Sequence, residues 1–132
     1  VINGNPVKII YANSPSDVVY NDHDILNPIV IDNTGAWRDE EGLSKHLKSG
    51  AKKVILTAPA KGNIKNIVNG VNNNILDKND EIISAASCTT NAIVPVLDIL
   101  NKQYGIEGGH IETVHSYTND QNLIDNFHKD EK

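Results

Sequence analysis

Cysteine, methionine and large aromatic side chains are scarce in this chain. Its 132 residues include one cysteine, no methionine, one tryptophan and one phenylalanine. A single thiol cannot close an intramolecular disulfide, so a reducing, cytoplasmic setting is the expectation. No apolar run approaches the roughly 18 residues that a membrane-spanning helix needs, and the N-terminus carries no secretory pattern, so no membrane partner is expected. Positive charge is the minor sign. Twelve Lys and Arg stand against 17 Asp and Glu, a formal net charge of −5. A phosphate backbone is bound by a basic face, which this balance argues against, so nucleic acid is not an expected partner. A G-x-G-x-x-G loop, a P-loop and any Cys/His spacing suited to a metal are also missing. The length suits one small domain. Yet there is no initiator methionine, the chain opens on Val1-Ile2-Asn3-Gly4 like the end of a strand and its turn, and it stops at a polar Asp130-Glu131-Lys132. It reads as a slice of a longer protein.

What is present alternates. "VKIIYA" (7–12) is a β-branched and aromatic run between Pro6 and Asn13-Ser14-Pro15, which predicts a strand. "PIVIDNTG" (28–35) and "KKVILTAP" (52–59) are short apolar runs of the kind buried on both faces of a parallel sheet. Between them, "DEEGLSKHLKSG" (39–50) places Leu43, His46 and Leu47 at helical spacing, with lysines late in the segment and Gly50 after it. "IKNIVNGVNNNIL" (64–76) fits either a short helix or a strand and loop, and its asparagines favour loop. "DEIISAAS" (80–87) predicts a strand, a helical run follows to about Asn101, and "HIETVHSYT" (110–118) predicts another strand. Strands alternating with helices mean βαβ units and a largely parallel sheet, in which function collects just past the C-terminal strand ends. Those ends are 33–35, 57–59, 84–88 and 116–118, and small or hydroxylated residues recur at each.

Cys88 lies at the third of these ends. A helix starting just after it would aim unpaired backbone N–H groups and the positive end of a dipole at the sulfur, favouring thiolate. Ser87, Thr89, Thr90 and Asn91 suit such a start. Pro95 requires either that the helix begin near Ile93 or that it kink. The competing reading is an inert, buried cysteine, which is the commoner fate of a lone one. His115 ends a predicted strand and is a candidate base for the thiol. Most strand-end histidines are structural, and His23, His46, His110 and His128 compete with it; His46 reads as a helix-face residue. Asp32, at the end of an apolar strand, reads as a capping residue or a buried acid, with the former preferred.

"SAASCTTNAIVPVLDIL" (84–100), followed by "TVHSYTNDQ" (113–121), resembles phosphorylating glyceraldehyde-3-phosphate dehydrogenase. "NTG" (33–35) and "GAKKVILTAPAKG" (50–62) fit the same family, so the resemblance runs through essentially the whole chain. It implies an α/β architecture: residues 1–87 as the second half of a Rossmann-type, doubly wound NAD-binding domain, and 88–132 as the first helix and strand of an α+β catalytic domain. It implies Cys88 as the nucleophile that carries a thioester and His115 as its base. Ser87, Thr89 and Thr118 would bind substrate or inorganic phosphate. Thr34, Gly35, Thr57 and Asn119 would line NAD, with NADP an alternative. Glyceraldehyde 3-phosphate and inorganic phosphate would be the substrates, and a cytoplasmic homotetramer the assembly.

This chain departs from the family pattern in three places. Asn13-Ser14-Pro15 stands where an acidic residue and an arginine are usual. "DNFHKD" (125–130) replaces a common Asp-Leu-Pro-His stretch, and Ala92 stands where many members have a second cysteine. Erythrose-4-phosphate dehydrogenase shares the cysteine and histidine, although "HSYTNDQ" favours the glyceraldehyde enzyme. A Cys-His-Asn hydrolase and a catalytically inactive fragment are the readings from other classes, and the 132 residues alone are expected to be inactive.

Overall fold

The computed structural model describes residues 1–117. Three short strands, β1 (Ile29–Asp32), β2 (Lys53–Leu56) and β3 (Ile82–Ser84), form a parallel sheet in the order β1-β2-β3. Two helices accompany them: α1 (Glu40–Lys48) between β1 and β2, and α2 (Cys88–Tyr104) after β3. Single 3-10 turns lie at Pro15–Asp17, Tyr20–His23 and Asn73–Ile75. The chain divides into two compact units, Val1–Asp98 and a second beginning at Ile99.

Local chemistry explains the elements. Asp39 caps α1 by accepting from the Gly42 amide at 2.8 Å, and Glu40 and Glu41 complement the positive end of the helix. Lys45, His46 and Lys48 occupy its last turn, and Gly50, at φ 105°, supplies the left-handed step that ends it. β2 alternates half-buried Lys53 and Ile55 with buried Val54 and Leu56. Leu43 of α1 packs with Val54, Leu56, Ala51 and Ile64, flanked by Tyr20, Val30, Trp37 and Ile82. Leu43, Val54 and Leu56 are fully buried, each worth about 1.5–3 kcal/mol of transfer free energy.

The structure corrects several expectations. Residues 7–12 form no strand, and Ile9 and Tyr11 are exposed. Their β-branched composition favours extended backbone, but none of the described residues offers them a ladder. Residues 110–117 likewise form no strand; Val114 is exposed, and position 118 lies outside the described residues. Segment 64–76 is neither helix nor full strand: Asn66 makes one parallel bridge to Ser84, and a 3-10 turn follows. The apolar run of β1 predicts burial on both faces, yet Ile29 and Ile31 remain 61% and 63% exposed. Val30 and Asp32 face the core below α1, and nothing among the described residues covers the other side.

Two predictions follow from this packing. Glycine in a helix normally gains about 1 kcal/mol on becoming alanine. At Gly42 a Cβ would fall 2.7 and 2.8 Å from Cδ1 and Cβ of Trp37, so the indole must be displaced. Overpacking of this kind costs about 1–3 kcal/mol and outweighs the propensity gain. Gly42→Ala should therefore lower the unfolding midpoint of the full-length protein in denaturant; a higher midpoint would contradict the contact. Separately, Lys65 Nζ lies 2.8 Å from both oxygens of Asp80. The Lys65 hydrogen bond, then that from the Asp77 amide, holds Asp80 below the usual carboxylate range. A depressed value stabilises the fold above the unfolded-state pKa, and the stabilisation is lost as pH falls through the folded value. Asp80→Asn should thus flatten the acid limb of a stability-versus-pH profile.

Candidate active site

Register places the site. Asp32 pairs with Leu56, and Leu56 with Ser84, so the three strands end level and their outgoing loops share one edge. In a parallel sheet this is the edge that collects ligands.

The β1 end is built on Asp32, whose side chain is buried. Its Oδ1 accepts from the Thr34 amide at 2.9 Å and the Thr34 hydroxyl at 2.7 Å. Thr34 Oγ1 in turn accepts from the Ala36 amide at 3.2 Å. Gly35 has φ 69°, a left-handed conformation that suits glycine, and its carbonyl accepts from Arg38 Nε at 3.2 Å. The main-chain carbonyl of Asp32 accepts from the Thr57 amide at 2.9 Å, with the Thr57 hydroxyl at 3.3 Å. Thr34 and Thr57, both predicted with Gly35 to line a cofactor, therefore hang on one residue, and both are exposed. Sequence reasoning preferred a capping role for Asp32; it is both a cap and a buried acid.

The β3 end makes a sharp turn into α2. Ser84, fully buried, donates its hydroxyl to the Ala58 carbonyl at 2.7 Å, with Asn66 Oδ1 at 2.8 Å, and accepts from the Ala86 amide at 3.0 Å. Ala86 adopts φ 59°, the left-handed region, while buried. Ser87 then caps the helix: Oγ accepts from the Thr90 amide at 2.9 Å and shares a hydrogen with the Thr90 hydroxyl at 2.7 Å. Asn91 reaches back, donating Nδ2 to the carbonyls of Ala85 at 2.7 Å and Ser87 at 2.8 Å. These bonds set Cys88 as the first residue of a 17-residue helix, exposed at the sheet edge. The helix begins at Cys88 and runs through Pro95, rather than starting near Ile93.

His115 is exposed in irregular backbone, and its Nδ1 lies 2.6 Å from the Ser116 carbonyl. A carbonyl only accepts, so Nδ1 carries the hydrogen, and Nε2 is the basic nitrogen of the neutral ring. Thr89 is half-buried in the first turn of α2. Thr118 and Asn119 lie outside the described residues.

Sequence reasoning missed a buried chain behind the edge. His46, on the helix face it shares with Leu43 and Leu47, turns to the core, with Nε2 at 3.2 Å from Asp32 Oδ2 and Nδ1 at 3.1 Å from the Tyr20 hydroxyl. Burial first, and the charge of Asp32 second, raise the Tyr20 phenol above its ordinary value. The i, i+3, i+4 placement of Leu43, His46 and Leu47 was the available signal, since it sets the histidine on the apolar face. A separate open cleft of about 450 Å³, lined by Glu40, Ser44, Lys65, Asp80 and Ile82 among others, lies beside the start of β3, away from Cys88. Among the described residues no cluster of His, Cys, Asp and Glu could hold a metal ion, and no helix is long and apolar enough to cross a membrane.

Residues 87–132 match the family described as glyceraldehyde 3-phosphate dehydrogenase, C-terminal domain. The chain is 62% identical over 96% of its length to a glyceraldehyde-3-phosphate dehydrogenase-like protein of Pseudomonas aeruginosa, covering 28% of that protein. It is 44% identical to the glyceraldehyde-3-phosphate dehydrogenase of Thermotoga maritima and to glyceraldehyde-3-phosphate dehydrogenase 2 of Bacillus subtilis, in each case over 98% of this chain and 38% of the relative. It thus matches, almost end to end, a stretch of glyceraldehyde-3-phosphate dehydrogenase sequence, and spans roughly a third of the relatives' length.

The left-handed turn before the thiol gives a test of this geometry. Ala86→Val puts a β-branched side chain at positive φ in a buried place and should cost about 2 kcal/mol or more of stability in the full-length protein. Ala86→Gly should be tolerated within about 1 kcal/mol. Equal effects of the two substitutions in denaturant titration would rule out the left-handed turn.

Proposed function

We propose that this chain is the part of a glyceraldehyde-3-phosphate dehydrogenase that joins a Rossmann-type NAD-binding domain (residues 1–87) to the start of a catalytic domain (88–132). The intact protein would then oxidise glyceraldehyde 3-phosphate and trap the product as the acyl phosphate, 1,3-bisphosphoglycerate. The observation that carries this is Cys88: an exposed thiol at the first position of a long helix, at the C-terminal edge of a parallel sheet, inside the S-A-A-S-C-T-T-N motif.

The chemistry follows from the residues. Helix-terminal N–H groups and the dipole favour the thiolate of Cys88. The sulfur adds to the aldehyde carbon and makes a thiohemiacetal. His115 Nε2 takes the hydroxyl proton as the carbon gives up hydride, leaving a thioester on Cys88. Inorganic phosphate attacks that carbonyl, releasing the thiolate and the acyl phosphate. Ser87 and Thr89 at the helix start, with Thr118, supply neutral donors for the phosphates. The nicotinamide, when bound, accepts the hydride. Thr34 and Thr57 are exposed at the sheet edge with their hydroxyl hydrogens turned to Asp32, so each oxygen keeps acceptor capacity, and Gly35 presents backbone without a side chain, a polar edge that fits NAD or NADP. Asn119 would lie beside the nicotinamide. A cytoplasmic homotetramer is the proposed assembly.

The full-length protein is assayed with glyceraldehyde 3-phosphate, phosphate and NAD, and in parallel with NADP and with erythrose 4-phosphate, because the 62% identical relative is itself named only as dehydrogenase-like. Cys88→Ser should lower kcat by about three to six orders of magnitude, and His115→Asn by about two to four. Iodoacetamide should label Cys88 faster than a simple thiol at the same pH. An ordinary labelling rate with no turnover on either aldehyde would refute the proposal.

A further inference from the structure

Three elements converge behind the sheet edge. Tyr20 comes from the 3-10 turn at Tyr20–His23, His46 from α1, and Asp32 from β1. Asp32 is 3% exposed and His46 9%. A carboxylate only accepts, so His46 Nε2 donates to Oδ2. In the tautomer with its hydrogen on Nε2, Nδ1 accepts from the Tyr20 hydroxyl at 3.1 Å. The raised Tyr20 phenol keeps that hydrogen in place. The second oxygen of the same carboxylate holds both the amide and the hydroxyl of Thr34. The main-chain amide of Tyr20 is itself tied to the Ser49 carbonyl at 3.2 Å, just past the end of α1, so the phenol is not a loose arm.

Stability alone does not call for this arrangement. Buried polar groups exchanged for well-packed apolar ones are often neutral or stabilising, and Leu43 and Leu56 already show the apolar solution next door. A polar chain does what an apolar cluster cannot, which is to fix direction. With Oδ2 held by His46, the carboxylate cannot rotate, and Oδ1 stays aimed at Thr34. None of these residues is a candidate for touching substrate.

We propose that His46, steadied by Tyr20, is a positioning residue for the cofactor edge: by orienting the Asp32 carboxylate it sets the turn that presents Thr34 and Gly35. The assignment to a cofactor rests on the functional reading above. The test uses the full-length protein and three variants. His46→Leu keeps the bulk and removes both hydrogen bonds. His46→Gln restores a donor toward Oδ2. Tyr20→Phe deletes one hydroxyl and serves if the leucine variant fails to fold.

Amide hydrogen exchange is followed at Thr34 and Ala36, with β2 as the internal reference, beside KM for NAD and kcat. In His46→Leu, exchange at Thr34 and Ala36 should rise about tenfold while β2 keeps its protection. KM for NAD should rise about five- to tenfold with kcat within about twofold. Tyr20→Phe should move both in the same direction by about two- to threefold, and His46→Gln should recover most of the loss. Exchange that is unchanged, or that rises equally in β2, overturns the positioning role. So does a glutamine variant as impaired as the leucine one. A local exchange response in a protein whose wild type binds no NAD keeps the mechanical link, overturns the functional reading, and overturns the assignment to a cofactor edge.

Discussion

The level register of three parallel strands is the constraint from which the rest follows. Asp32, Leu56 and Ser84 stand in one row, so three loops leave the sheet at the same height. A shift of one residue would invert every side chain, moving Val54 and Leu56 out of the core and Asp32 into solvent. The pairing is therefore enforced by Leu43 and its neighbours, which accept only one face of β2. The placement of polar chemistry at the edge is thus secured by apolar packing beneath it.

Two buried polar residues at strand ends, Asp32 and Ser84, then anchor these loops. Asp32 holds the β1 loop through Thr34 and the start of the β2 loop through its carbonyl. Ser84 holds the β3 turn to the Ala58 carbonyl and the Ala86 amide. Among the described residues, no buried side-chain nitrogen or oxygen is left without a partner. Such completeness matters because a half-satisfied buried network is worse than an apolar one. Thr34, Thr57 and Cys88 are nonetheless exposed at this edge.

The three strands and both helices were legible in the sequence because each signal was local: a β-branched run with turn residues after it, or Asp39 ahead of a periodic segment with Gly50 behind. Among the described residues no strand forms at 7–12 or 110–117, because strand formation needs a partner ladder, which composition does not encode. The helix start at Cys88 was readable from Ser87, Thr89, Thr90 and Asn91, but Pro95 left a beginning near Ile93 open beside it. It is fixed by Asn91 folding back onto Ala85 and Ser87 and by Ser87 capping Thr90, contacts that depend on the turn at Ala86. The placement of Cys88, Thr34, Gly35 and Thr57 just past strand ends was readable from the pattern of apolar runs and turn residues. The His46–Asp32–Tyr20 chain was not, since it joins residues 14 and 26 positions apart and becomes visible only when α1 is laid on the sheet.

Pro95 has a mechanical consequence. Having no N–H, it cannot bond to the carbonyl four residues back, which is that of Asn91. The first turn of α2 is therefore coupled to the remainder of the helix by one bond fewer than its length suggests. The side chain of the same Asn91 meanwhile fastens that turn to residues 85 and 87. The sulfur accordingly belongs, in stiffness, to the sheet edge more than to the helix whose first position it occupies. One backbone bond fewer at Pro95 weakens the path by which bending farther along α2 would reach Cys88.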